Sequence, residues 1–406
     1  MDGSSDEPEG FHLQNAQKRR KPDKYHDGHG EFYHASTSNS HGYDDYTVGW
    51  ICAIPLEMTA AKAMLDDIHP SLPNSLNDHN TYTLGRMGNH MIAVACMPSG
   101  IYGTTSATTV AQQMMSTFKS IRFGLMVGIG GGVPSQHADI RLGDVVVSKP
   151  TGVFSGVVQY DYGKTIQEGK FERIGMLNKP PQVLLTAIAQ LLADYKLRPS
   201  RIQEYLSEMV ERYPLMAPKF VYCGERQDKL FDSYYEHSKL EETCEYCDPN
   251  RIVIRPERLI KCPEVHYGLI ASGNQVIKHG ETRDKWAREL GILCFEMEAA
   301  GLMDHFPCLV IRGVCDYADS HKNKDWQEYA AATAAAYGKE ILSVIPGIEK
   351  SNGTTIAKER PLRDEEQRRV LLDSLRFNQI DARQMTIKLA HTKTCRWLLS
   401  RSEYLD

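Results

Sequence analysis

The chain has 406 residues, 41% hydrophobic and 24% charged, enough apolar content to bury one large core or two ordinary ones. A formal net charge of −5 gives no global field to hold a nucleic-acid polymer, so any anion must be met by a local pocket. There is no secretory signal pattern and no run of the roughly 18 apolar residues that cross a bilayer, which excludes a membrane partner, predicts a cytoplasmic location and makes the ten cysteines reduced thiols.

Residues 1–45 are rich in His, Ser, Gly, Asp and Lys and nearly free of aliphatics, so they read as a disordered leader, with Lys18, Arg19, Arg20 and Lys21 a solvated charge cluster. The apolar, β-branched run over 46–54 predicts a buried strand, and Pro55 and Leu56 turn the chain into a helix over 57–65. The alternation continues with a strand over 91–96, a helix over 103–118, and strands over 124–127 and 144–148. A second block over 268–345 adds a strand over 309–313 and a helix over 326–345. These elements predict an α/β fold: one domain over 46–346 with a mixed, largely parallel central sheet flanked by helices. Residues 151–265, with a helix over 181–195 and then many charges and tyrosines, read as an insertion covering the sheet's open end. Gly, Ser, Asn and Lys over 347–362 make a linker, and the amphipathic stretch over 363–406 predicts helices leading toward a downstream module.

In open α/β sheets ligands bind beyond the carboxyl ends of the strands, and four segments fall there. They are Ala53-Ile54-Pro55-Leu56-Glu57, the glycine run Val127-Gly128-Ile129-Gly130-Gly131-Gly132-Val133, Cys294-Phe295-Glu296-Met297-Glu298-Ala299-Ala300-Gly301, and Arg312-Gly313-Val314-Cys315-Asp316-Tyr317-Ala318-Asp319. Singly, each has an ordinary explanation: a helix-start carboxylate, a tight turn, surface charges. In this order, and with Leu142-Gly143-Asp144-Val145-Val146-Val147-Ser148 after the glycine run, they resemble the purine nucleoside phosphorylase and uridine phosphorylase superfamily over about 46–346. The resemblance is closest to the branch of methylthioadenosine and adenosylhomocysteine nucleosidases.

The resemblance implies a phosphorylase-type fold and a purine nucleoside or nucleotide as substrate. Glu298 matches the carboxylate that binds the ribose hydroxyls, with Met297 packing on the sugar and Glu296 beside it. Asp316 matches the acid that protonates the purine imidazole nitrogen, and Glu57 the carboxylate that deprotonates the attacking water. Gly130 and Gly131 match the lining of the base and sugar pocket, and 272–277 the strand end along which the base lies. Breaking an N-glycosidic bond builds positive charge on ribose and negative charge on the purine, which is why carboxylates and an acid are needed there. Val276 stands where that branch carries a stacking aromatic, so Tyr160, Tyr222 or Phe231 is expected to stack on the base instead.

The segment 99–105 supplies hydroxyls and amides through Ser99 and Thr104 but no arginine, which favours hydrolysis over phosphorolysis. A phosphate-dependent phosphorylase and a catalytically inactive nucleoside-sensing domain stay open as alternatives. The tail resembles the segment leading into the NACHT module of fungal immune-type receptors, some of whose phosphorylase-like effector domains cut adenine from ATP. ATP or dATP is therefore the expected substrate, its phosphates met by Arg226, Lys229 and Arg255. The family resemblance also implies at least a dimer. Cys223, Cys244, Cys247 and Cys262 could form a four-cysteine zinc site, but one C-x-x-C pair with irregular outer spacings favours packed, reduced thiols, so neither metal nor cofactor is expected.

Overall fold

The computed structural model describes residues 41–347, apart from 223, 225–227, 239–242 and 259–261. The expected leader, the linker and the C-terminal helices thus lie almost wholly outside the described residues. At the leader's end Tyr43–Asp45 forms one 3-10 turn, and the Tyr43 ring sits 5.8 Å from that of Phe118, so these residues of the expected leader pack against the domain.

The strands are β1 (Val48–Cys52), β2 (Asp67–His69), β3 (Tyr82–Met87), β4 (His90–Cys96), β5 (Phe123–Gly132), β6 (Val145–Ser148), β7 (Val157–Gln159), β8 (Gly163–Thr165), β9 (Phe171–Arg173), β10 (Val265–Ser272), β11 (Ile292–Glu296) and β12 (Cys308–Asp316). The helices are α1 (Pro55–Met64), α2 (Thr104–Thr117), α3 (Gln182–Asp194), α4 (Ile202–Arg212), α5 (Ala217–Phe220), α6 (Gly280–Leu290) and α7 (Gln327–Ser343). One sheet runs in the order β11-β10-β6-β12-β5-β1-β4-β3-β2, with β7 beside β10, while β8 and β9 pair separately. β1 is parallel to β4 and β5, β12 to β5, and β10 to β6 and β11; β6 is antiparallel to β12, and β2, β3 and β4 form a meander. The far end of β5 also pairs antiparallel with β11, so β5, β12, β6, β10 and β11 form a closed circuit.

Every residue of β1 and β12 is buried, which is why both read as unbroken apolar runs rather than as alternating ones. α7 lies against β12 and β5 with six buried alanines between 330 and 336. The approach is so close that a Cβ at Gly313 would overlap the Ala330 carbonyl.

Two differences from the sequence expectation have physical causes. The glycine run is the end of β5 rather than a loop, because residues without side chains let this backbone pair with β12 and β11 at once. Much of the expected insertion does not cover the open end of the sheet. Its helices α3 and α4 carry the apolar stripes Leu184, Ala187, Ile188, Leu191 and Ile202, Tyr205, Leu206, Met209, and they bury them in the layer formed by α7. Among the described residues no helix is long and apolar enough to cross a membrane.

Candidate active site

A cavity of about 210 Å³ opens at the carboxyl ends of β1, β5, β11 and β12. Of the residues expected at the site, Glu57, Gly130, Gly131, Val276, Glu296, Met297, Glu298 and Asp316 all line it.

β1 stops before Pro55, which occupies the first turn of α1, where no intrahelical donor is required. The third residue of that turn, Glu57, folds back so that Oε2 accepts from the amides of Ala53 (2.7 Å) and Ile54 (3.2 Å). Its Oε1 accepts from the amide of Ile129 on β5 at 2.8 Å. Burial raises the Glu57 pKa, against the pull of Arg312 and the three amides toward the ionised form. The space it occupies exists because position 128 is glycine: a Cβ there would overlap both the Glu57 carboxylate and the Arg312 guanidinium.

At the end of β11, Glu296 accepts from the amides of Glu298 (3.1 Å) and Ala299 (2.9 Å) and pairs with Arg312. Arg312 also reaches Glu298 at 3.4 Å and is fully buried within β12. One guanidinium therefore faces the carboxylates of Glu57, Glu296 and Glu298. Burial, with Glu296 and Glu57 adding to it and Arg312 opposing it, pushes Glu298 up to about 7.

β12 ends at Asp316, whose Oδ1 accepts from the Ala318 amide at 2.9 Å and whose Oδ2 pairs with Lys322 Nζ at 2.7 Å. Ala318 holds a left-handed φ of 51° in the turn that makes this possible. Across the cavity, a Cβ at Gly131 would come within 2.9 Å of Asp316 Oδ1, so glycine there leaves the carboxylate room. The Lys322 pKa is raised: burial works against the ammonium, but the Asp316 carboxylate outweighs it.

Several expected residues do not reach the cavity. Ser99 is exposed on the turn before α2, and Thr104 spends its amide and hydroxyl on Asn274 Oδ1, both at 3.1 Å, so it is Tyr102 from this segment that lines the mouth. Arg255 is tied to Asp228 at 3.0 Å and to the Tyr317 hydroxyl at 2.9 Å, and it faces a second cavity with Arg141 and Arg258. Lys229 is not on the lining, and Arg226 falls outside the described residues. The cations expected to meet a polyphosphate are thus absorbed by carboxylates or lie elsewhere, because a guanidinium near Asp228 and Asp139 pairs before it projects.

The expected stacking aromatics are also displaced. Tyr160 packs edge-on to Phe295 and donates to the Gln275 carbonyl at 2.7 Å; Tyr222 packs on Trp326 and Tyr329; Phe231 stacks on His321. The aromatic lining is Phe295 and Tyr102. Sequence reasoning placed Arg312 at the head of the fourth strand-end segment without giving it a role, and missed Lys322. The first had a signal, a cation inside the apolar run Leu309-Val310-Ile311, which demands buried carboxylate partners. Lys322 had none, since only the turn after β12 brings it back to Asp316.

A profile of the phosphorylase superfamily matches residues 47–344. A nucleotide-binding leucine-rich repeat (NLR)-like protein of Hyaloscypha variabilis is 48% identical over 303 residues, covering 74% of this chain and 30% of that protein. A 5'-methylthioadenosine/S-adenosylhomocysteine nucleosidase of Mycobacterium bovis is 23% identical over 317 residues, 74% of this chain and 97% of that one. The ATP nucleosidase Cap17 of Escherichia coli is 23% identical over 304 residues, 72% of this chain and 50% of that one. The match spans less than a third of the NLR-like relative and half of Cap17.

Proposed function

This chain belongs to the phosphorylase superfamily, and from that premise we propose that it is a purine nucleosidase, hydrolysing the bond between an adenine base and ribose. The observation that carries the reading is the convergence of Glu57, Glu298 and Asp316 on one cavity floored by glycines. In this proposal Glu298 accepts from the ribose hydroxyls and Met297 packs on the sugar. Glu57, already holding three amides, takes the proton of the attacking water. Asp316 delivers a proton to the departing purine and regains one from solvent, and the Lys322 ammonium 2.7 Å away compensates the carboxylate charge left behind. Gly130, Gly131, Phe295 and Val276 leave a slot for the base. Positive charge growing on ribose is favoured by the carboxylate cluster, and negative charge on the purine by the acid.

The test is release of free adenine from adenosine, methylthioadenosine, AMP, ATP and dATP, with and without inorganic phosphate. Base release at a rate indifferent to phosphate is expected. Dependence on phosphate would make the enzyme a phosphorylase, and binding without release would make it a nucleoside sensor.

A second, finer reading is favoured by the likeness to a protein named an ATP nucleosidase. We propose that ATP or dATP is the preferred substrate, leaving ribose or deoxyribose triphosphate, and that this depletes nucleotide as the effector step of an NLR-like receptor. Catalytic efficiency on ATP well above that on adenosine is expected. Because Arg255 is engaged with Asp228, Arg255→Gln should leave that ratio unchanged. Equal efficiency on the two substrates would return the protein to general nucleoside hydrolysis. We further propose an assembly of at least two chains, since Ile101, Tyr102 and Val276 leave large apolar surface exposed around the cavity mouth. A monomer mass in light scattering would refute it.

A further inference from the structure

The described part of residues 228–258 has almost no regular structure of its own. It holds the isolated bridge of Phe231 with Ile252 and two single 3-10 turns, Cys244–Tyr246 and Pro249–Arg251, while Tyr234, Tyr246 and Ile254 are exposed. A segment that buries so little apolar surface needs another source of order.

Three side chains with metal-ligand atoms converge within it. His237, Cys244 and Cys247 bring one such atom each to within 4.8 Å of one another. Cys244 and Cys247 belong to a C-x-x-C turn closed by the Cys247 amide donating to the Cys244 carbonyl at 3.4 Å. His237 Nδ1 lies 2.8 Å from the Ser238 carbonyl, the kind of contact that fixes an imidazole tautomer with Nε2 left as the ligand. Nε2 itself lies 3.0 Å from the Thr243 carbonyl, and a neutral ring has no second N–H to donate there.

An independent observation comes from the turn after β12. His321 is buried, and neither ring nitrogen has a hydrogen-bond partner. Its ring is 5.4 Å from that of His237, and its backbone carbonyl is 3.7 Å from Cys244 Sγ. Phe231 stacks on its ring at a centroid distance of 4.0 Å, and the Tyr235 ring lies 5.3 Å away. Two orphaned nitrogens in one buried imidazole are unfavourable unless something absent from the protein's own atoms meets them.

We propose that His237, Cys244 and Cys247 bind a zinc ion, and that the neighbouring His321 ring turns to complete the set as the fourth ligand. Two thiolates and two imidazoles form a ligand set that suits four-coordinate structural zinc. The ion would fasten the 228–258 segment to the turn that carries Asp316 and Lys322. The four-cysteine set weighed from sequence is replaced because Cys262 lies exposed on the second cavity, and histidines occupy the positions that its spacing left open.

The experiment uses the full chain purified without chelator. Elemental analysis is expected to give about one zinc per chain, released when the thiols are blocked with a methanethiosulfonate. Replacing Cys244 and Cys247 together by Ser should abolish the zinc. Should that variant not fold, the wild-type protein decides: a strong chelator should lower its Tm, added Zn²⁺ should restore it, and Co²⁺ should give the visible absorption of a tetrahedral thiolate site. Wild-type protein that takes up neither Zn²⁺ nor Co²⁺, or that carries a Cys244–Cys247 disulfide instead, would overturn the proposal, as would zinc retained in the double variant. Zinc held as tightly in His321→Ala as in wild type would remove His321 from the ligand set.

Discussion

Arg312 is a cation in the middle of a buried strand, tolerable only because Glu296 and Glu298 meet it. Arg312→Met should leave those carboxylates uncompensated and lower the unfolding free energy by about 3–5 kcal/mol, read from urea denaturation. Asp316→Asn keeps shape and removes a proton, so turnover should fall roughly a hundred- to ten-thousand-fold, with a lower Tm because the Lys322 ammonium loses its partner; near-wild-type turnover would take Asp316 out of the mechanism. Glu57→Gln should lose turnover similarly but also stability, because an amide group then confronts one of the three backbone N–H donors that a carboxylate accepts. Glu298, pushed up to about 7, gives a pH signature. It accepts hydroxyl protons best when ionised, so kcat/KM should rise with pH through about 7, and Glu298→Gln should flatten that limb. The same group keeps its proton after the unfolded chain has lost its own. Its contribution therefore lowers stability as pH climbs from about 4.3 toward 7 and is constant above, which a urea series over that range would measure.

At the scale of elements, what was legible in the sequence followed from burial. β1, β12 and α7 are buried enough that their apolar runs announce them, and the motif carboxylates fall at strand ends as an open α/β sheet requires. What failed was decided by distant partners. The glycine run carries no local sign that β11 will pair with it, and Arg255 carries none that Asp228 will hold it. The short strands β2 and β3 and the helices α4 and α6, set among polar residues, were not anticipated either. The placement of α3 and α4 depends on one buried carboxylate: Glu340 on α7 accepts from the Tyr195 hydroxyl (2.9 Å), the Ser200 hydroxyl (2.7 Å) and the Arg201 amide (2.7 Å). Glu340→Ala should strand those donors and lower stability by about 3 kcal/mol while KM is unchanged, since none of them lines the cavity. A shift in KM would mean that these helices communicate with the site.

For the molecule as a whole, the closure of β5 onto β11 divides the sheet into two mechanical regimes. The half made of β1, β4, β3 and β2 ends in a strand of three residues that can fray from its edge. The other half has no free end in the circuit of β5, β12, β6, β10 and β11, so none of these strands can peel away without breaking pairs on both sides. Amide protons of β5, β11 and β12 should then exchange with deuterium only through global unfolding, whereas those of β2 and β3 exchange through local opening at far lower free energy. The walls that hold the carboxylate cluster would thus be the last part of the protein to let water in.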